Sequence, residues 1–134
     1  MIRKISHVSL TVKDQYEAAQ WYQEKLDWVI KRDEPFPGNP ENRWVSIAPA
    51  GQTEIEVVLE LPQWGMTSAT SQGETVGRAA GFTLETDDCR GDYERFKARG
   101  VQFMEEPAEL AWGISCVFAD LYGHLHNLVQ PHGE

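Results

Sequence analysis

The sequence contains little cysteine and no long apolar run. Its two cysteines, Cys89 and Cys116, stand far apart without C-x-x-C spacing, which indicates reduced thiols, with a redox pair as the alternative. No apolar run approaches the roughly 18 residues that span a bilayer, and residues 1–7 lack the apolar segment of a secretion signal. These absences predict a cytoplasmic protein that has no membrane partner.

Basic side chains are also scarce. The 134 residues include 12 lysines and arginines against 21 aspartates and glutamates, a net charge of −9. An excess of this sign repels the phosphates of nucleic acid and of anionic membranes, so we expect neither as a partner. It is compatible with cationic ligands, with metal ions or with solubility alone. The length and the 41% hydrophobic share are typical of one globular domain.

The motifs of several common catalytic sites are missing. The chain has no G-x-S-x-G, no H-E-x-x-H, no phosphate-binding loop and no dinucleotide-binding glycine pattern. Cys116 has no recognisable base beside it, which argues against a nucleophile. Function must therefore be inferred from the fold and from polar residues on predicted strands.

Hydrophobic periodicity predicts the elements of the first half. They are a strand at 5–12, a helix begun by the capping residue Asp14, strands at 28–30, 43–48 and 54–61, and a proline-rich loop at 34–41. His7, Ser9 and Thr11 lie on the polar face of the first strand because side chains alternate. Glu56 and Glu60 lie on the polar face of the last.

The second half repeats this order. It contains a predicted strand at 81–86, a helix capped by Asp87 or Asp88 that ends at Gly100, and strands at 101–104, 114–119 and 124–129. Residues 7–14 align with residues 81–88 at an offset of 74. Such duplication predicts an α+β fold in which two βαβββ modules form a curled eight-stranded sheet with a concave cleft. In this single domain, 1–134, the modules cover about 4–61 and 80–130, joined by a linker at 62–79.

The chain resembles the vicinal oxygen chelate superfamily, which includes glyoxalase I, bleomycin-resistance proteins and extradiol dioxygenases. The segments that carry the resemblance are residues 7–14, 21–26, 97–103, Glu106-Pro107, Trp112-Gly113 and 118–123, with Asp120, Gly123 and His124 in a D-x-x-G-H pattern. This fold hosts isomerases, dioxygenases, thiol transferases and binding proteins, so the resemblance alone does not select a function.

The resemblance also implies four metal-ligand positions, occupied here by His7, Glu60, Gly81 and Asn127. His7 and Glu60 are suitable ligands for Zn, Ni, Mn or Fe(II), whereas glycine has no side chain and an asparagine oxygen is a weak donor. His126 would replace Asn127 only if the strand register slipped by one residue. The metal site that the resemblance implies is therefore incomplete, and the extradiol dioxygenase pattern retains His7 alone.

Alternation predicts which side chains face the cleft. The predicted ligand-binding residues are His7, Trp44, Glu56, Glu60, Glu85, Trp112 and Asn127, with Trp64 and Met66 as further apolar walls. Aromatic faces together with carboxylates suit a planar or cationic small molecule. The alternative for Trp44 and Trp112 is a place in the core or in a dimer contact.

Two functional hypotheses follow. The first is a small-molecule binder without a complete family metal site. The second is a metal-dependent lyase or isomerase of glyoxalase type that uses His7 and Glu60, with Glu60 as the candidate catalytic carboxylate. Whether the protein is an enzyme is left open, but a glyoxalase reaction is favoured over dioxygenation.

We also expect a homodimer. The C-terminal histidines His124, His126 and His132 are interpreted as a solvated strand end.

Overall fold

A computed structural model describes residues 1–36, 38–62 and 80–132. The chain divides into two compact units, Met1–Val76 and Gly77–Glu134. The predicted linker after Pro62, including Trp64 and Met66, lies outside the described residues. In the part of the chain that is described, no helix is long and apolar enough to cross a membrane.

The described residues of the first unit form a four-stranded sheet with one helix. Its elements are β1 (His7–Thr11), α1 (Gln15–Leu26), β2 (Trp28–Phe36), β3 (Asn39–Pro49) and β4 (Glu56–Glu60). The strand order is β1-β4-β3-β2, with β1 parallel to β4 and the other pairs antiparallel. The predicted strand–helix–strand–strand–strand order of this half is confirmed.

Helix α1 is bounded by two aspartates, Asp14 at its start and Asp27 at its end. The Asp14 carboxylate accepts hydrogen bonds from the backbone N–H groups of Tyr16 and Glu17, both at 3.0 Å, which satisfies two of the free donors at a helix start. Asp27 ends the helix in the left-handed region at φ 61°. The buried side of the helix consists of Gln15, Ala18, Ala19, Tyr22 and Leu26. Packing of this apolar side against the sheet leaves the other sheet face for polar side chains.

The prediction of a loop at 34–41 is wrong for most of that segment. Strand β2 continues to Phe36, and β3 already begins at Asn39. Pro35 is tolerated because β2 is the edge strand of its sheet, where the missing N–H costs no hydrogen bond to a further strand. Arg32 and Phe36 therefore lie on strand β2, whereas the sequence predicted that this strand ends at residue 30.

The second unit repeats the plan with one more strand. Its elements are β5 (Ala80–Glu85), α2 (Cys89–Ala98), β6 (Gln102–Phe103), β7 (Ala108–Leu110), β8 (Gly113–Ala119) and β9 (Leu125–Pro131). The order is β5-β9-β8-β6, with β7 also paired to β8. Asp88 caps α2 by accepting the Gly91 N–H at 2.9 Å, and the helix buries Cys89, Tyr93 and Phe96.

The α+β fold class is confirmed, and the described residues contain nine strands in two sheets rather than eight. The additional strand is β7, whose three side chains are all exposed. An exposed three-residue strand has no alternation between buried and exposed positions, so hydrophobic periodicity could not reveal it. Sequence reasoning recovered the other eight, with shifted ends.

Candidate functional site

The polar face of the first unit centres on a row of three neighbouring residues across the sheet. Ser9 of β1 and Ser46 of β3 are both register partners of Val58 on β4. Because side chains alternate along a strand, Glu56 and Glu60 share the face of Val58, one on either side of it. The two serines therefore lie next to the two carboxylates. Alternation along β4 predicts the face on which Glu56 and Glu60 lie, but it does not predict these neighbours.

Each serine donates a hydrogen bond to one of these glutamates. The Ser9 hydroxyl donates to Glu60 Oε2 at 2.7 Å, and the Ser46 hydroxyl donates to Glu56 Oε1 at 2.6 Å. Glu60 is 5% exposed, whereas the Glu56 side chain is 19% exposed. A buried carboxylate is costly unless several donors compensate for the lost water. For Glu60 the described residues supply one such donor, Ser9.

Glu56 has a richer set of neighbours. His7 Nε2 lies 3.8 Å and Arg32 Nε 3.9 Å from Glu56 Oε1. The charge of Glu56 is thus opposed by a guanidinium and, when protonated, by an imidazole. Glu60 is therefore the less compensated of the two carboxylates among the described residues.

Aromatic rings border the same face. The Trp44 and His7 rings meet edge to face with centroids 5.5 Å apart, and the Phe36 ring lies 6.1 Å from Trp44. The prediction placed His7 and Trp44 here but missed Phe36 and Arg32. Those two belong to the part of β2 beyond residue 30, which the strand prediction did not include.

His7 and Glu60, the predicted metal ligands of the first unit, occupy different positions in the register of β1 and β4. In the register of β1 and β4, His7 is opposite Glu56, while Glu60 is opposite Thr11, about 13 Å further along the strands at about 3.3 Å per residue. Glu60 is bonded to Ser9 instead. Among the residues that the structure describes, no group of three or more His, Cys, Asp or Glu side chains is arranged to hold a metal ion. Gly81 offers no side-chain donor and Asn127 only an amide oxygen, so the four residues do not form the complete donor set of a family metal site.

The predicted site residues of the second unit lie on its strands and on a connection. Asn127 is paired in register with Thr83 and Val117, and Glu85 with Val129. Both Asn127 and Glu85 are exposed. Trp112 precedes β8 and is 54% exposed, which places it outside the core of this unit. Their role in binding remains a prediction.

At Gly81, β5 and β9 approach too closely to leave room for a side chain. A Cβ at this position would lie 1.7 Å from the Leu125 carbonyl oxygen and 2.7 Å from His126 Nδ1. The pairing of β5 with β9 shifts between Ala80 and Thr83. Within that irregular stretch, His126 Nδ1 accepts the Phe82 N–H at 3.0 Å. The third family position is therefore a point of close backbone contact in this chain.

The interpretation of the C-terminal histidines as a solvated strand end is wrong for two of the three. His124 and His126 are both 0% exposed, and the His126 ring stacks on Phe82 at 5.2 Å. His124 Nδ1 lies 2.7 Å from Asp120 Oδ2, and His126 Nε2 lies 3.9 Å from the same oxygen. Burial lowers the pKa of His126 from 6.5 to about 4, while the Asp120 charge acts in the opposite direction. His126 is a neutral core residue at neutral pH.

Comparisons with known proteins agree with this architecture. The family model of the Glyoxalase/Bleomycin resistance protein/Dioxygenase superfamily matches residues 4–128. A protein of Shewanella frigidimarina is 33% identical, over 97% of this chain and 95% of its own length. YetH of Bacillus subtilis is also 33% identical, over 97% of this chain and 100% of its own length.

A solved structure has a similar fold. TnmS3, an antibiotic binding protein from Streptomyces sp. CB03234, is 29% identical, with a TM-score of 0.78 and 97% of each chain covered. The chain belongs to the Glyoxalase/Bleomycin resistance protein/Dioxygenase superfamily. The resemblance seen in the sequence is therefore confirmed at the level of family and fold.

Proposed function

We propose that the protein binds a small planar molecule with a cationic or hydrogen-bond-donating group on the polar face of its first unit. The observation that carries the proposal is Glu60. This carboxylate is 5% exposed, and the described residues give it one donor, Ser9. A ligand N–H or ammonium group would add a second donor to the one that the described residues supply to this buried carboxylate.

The aromatic border supports a planar ligand. Trp44 is half-buried, and its ring lies close to the rings of His7 and Phe36. A ligand ring packed against these groups would gain apolar contact area and offset-stacked or edge-to-face contacts. The similarity to TnmS3, an antibiotic binding protein, supports the same class of activity.

Equilibrium titration tests the proposal with two probes of similar shape and opposite charge, proflavine and anthraquinone-2-sulfonate. We expect proflavine to bind and the sulfonate to bind at least tenfold more weakly, because the face carries Glu56 and Glu60. Glu60→Gln should weaken proflavine binding at least tenfold, which corresponds to about 1.4 kcal/mol. Glu54→Gln removes an exposed carboxylate from the same unit and is the matched control. Equal affinity in wild type and Glu60→Gln would contradict the proposal.

The glyoxalase-type alternative has a separate test. It requires His7 and Glu60 to hold a divalent metal, Zn, Ni, Mn or Fe, and Glu60 to act as the catalytic carboxylate. The register places these two residues apart, so we expect no stoichiometric metal in untagged protein measured by elemental analysis. Metal that is present in wild type and absent from His7→Ala would favour this alternative over the binder.

The remaining ligand residues and the assembly are part of the proposal. Glu85, Trp112 and Asn127 are proposed as further ligand-binding residues, so replacing each should weaken proflavine binding. We also propose a cytoplasmic homodimer. Sedimentation analysis should then give twice the chain mass of 15.2 kDa, and a monomeric profile would refute the dimer.

A further inference from the structure

The two cysteines, which stand far apart in the sequence, meet in the core of the second unit. Cys89 is the first residue of α2 and Cys116 lies within β8. Their sulfur atoms are 3.8 Å apart, and both residues are 0% exposed. The contact arises because α2 packs on the sheet, which neither cysteine's local sequence could indicate.

Neighbouring groups hold Cys89 in a defined position. Its sulfur lies 3.7 Å from the Leu128 carbonyl oxygen, so the Cys89 S–H can donate there and leave its sulfur as acceptor for the Cys116 S–H. The Cys89 backbone N–H donates to Gln130 Oε1 at 2.9 Å. These contacts orient Cys89 toward β8 and β9, so the two sulfur atoms face each other.

We propose that Cys89 and Cys116 are a modification site, at which a small hydroperoxide converts the thiol pair to an intramolecular disulfide. In the first step the Cys89 thiol loses its proton and the thiolate attacks hydrogen peroxide. The O–O bond breaks, Cys89 sulfenic acid forms, and the leaving hydroxide takes up the released proton to become water. In the second step the Cys116 sulfur displaces the hydroxyl of the sulfenic acid, and a second water leaves as the S–S bond forms. The two thiols lose two hydrogen atoms, and one peroxide is reduced.

Cys89 is the residue that reacts first. Burial raises the pKa of both thiols, that of Cys116 to about 12, whereas at Cys89 the hydrogen bond with Cys116 acts in the opposite direction. The charged neighbours of Cys89 are Asp88 and Asp92, which raise its pKa, and Arg90, which lowers it. Its position at the start of α2 also favours a thiolate, because the helix N-terminus carries partial positive charge.

The two sulfur atoms are close enough to form a disulfide after a small movement, but their burial makes the reaction slow. The sulfur atoms must approach by about 1.8 Å to reach the disulfide length of about 2.05 Å. Since both thiols are fully buried, peroxide reaches them only when α2 opens locally. We therefore expect oxidation over minutes to hours at millimolar peroxide, in contrast to the fast oxidation of an exposed low-pKa thiol.

Intact-mass analysis of the folded, full-length protein after treatment with hydrogen peroxide tests the proposal. We expect a loss of two hydrogen atoms, a linked peptide pair containing Cys89 and Cys116 after digestion, and a melting temperature higher by about 5 to 10 °C. Added reductant should reverse all three. The linked peptides in wild-type protein provide the readout even where a cysteine variant folds poorly.

Two single variants test the order of events. With dimedone as the trap for sulfenic acid, Cys116→Ala should be labelled at Cys89, and Cys89→Ala should show little labelling. Labelling mainly at Cys116 would overturn the assigned order. The proposal itself is overturned if native wild type keeps both thiols while urea-unfolded protein is oxidised, or if peroxide yields only intermolecular disulfides or sulfinic acids.

Discussion

Removing the Ser9 hydroxyl tests how far the buried Glu60 carboxylate depends on its neighbour in the sheet. Ser9 donates to Glu60 at 2.7 Å, and Glu60 is 5% exposed. A hydrogen bond to a charged group contributes about 1.5 to 3 kcal/mol. Because Ser9 itself is only half-buried, the lower end of that range applies. We expect Ser9→Ala to lower the free energy of unfolding by about 1.5 kcal/mol.

Ser46→Ala is the matched control, since the same hydroxyl is removed from the other serine–glutamate pair. Ser46 donates to Glu56 at 2.6 Å, but the Glu56 side chain is 19% exposed and has Arg32 and His7 within 4.0 Å. Water and these two neighbours continue to stabilise its charge after the hydroxyl is lost. We expect this variant to lose only about 0.5 kcal/mol.

Urea unfolding followed by circular dichroism measures both values by linear extrapolation. Glu60→Gln and the Ser9→Ala/Glu60→Gln double variant complete a cycle that isolates the interaction between the two side chains. We expect a coupling energy of about 1 kcal/mol. Equal losses for the two serine variants, or strictly additive effects in the cycle, would refute the claim that Ser9 is the main hydrogen-bond donor to Glu60 among the described residues.

Two further predictions concern the second unit. Gly81→Ala should lower the free energy of unfolding by about 2 to 4 kcal/mol, because its Cβ would meet the Leu125 carbonyl oxygen at 1.7 Å; urea unfolding should show no comparable loss for the exposed Thr83→Ala. The folded-state pKa of His126, about 4, lies below the usual 6.5, so the unfolded chain binds the proton first as pH falls. Stability should therefore decrease by about 3 kcal/mol from pH 7 to pH 4, and much of this slope should be absent in His126→Asn. An unchanged slope in that variant would contradict the assignment of this pH dependence to His126.

Much of the fold was predictable because its signals are local. The alternation around β1 and the capping residue Asp14 each depend on a short stretch of chain, and the repeat at an offset of 74 is found by comparing two such stretches. The β2–β3 hairpin was mispredicted because Pro35 is a strong turn signal whose meaning depends on strand position. Only the strand order shows that β2 is an edge strand, where proline is acceptable.

The candidate site was predictable only in part. Strand period placed Glu56 and Glu60 on one face, but their partners depend on the register of three strands. Ser9 and Glu60 are 51 residues apart in sequence, and nothing local indicates that their side chains meet. Arg32 and Phe36 were missed for the same reason, since they reach the site through a hairpin whose extent is set by pairing with β3.

By itself the sequence determined the repeated strand and helix plan, the family and the excess of acidic side chains, because periodicity, capping and composition are properties of the chain. Only the tertiary structure decided which polar groups meet. Strand pairing placed Ser9 beside Glu60 and Glu56 beside His7, and packing of α2 brought Cys89 against Cys116. The tertiary structure also buries His126, which the sequence alone suggested to be solvated. Side-chain partnership and burial are long-range properties that follow from register and packing.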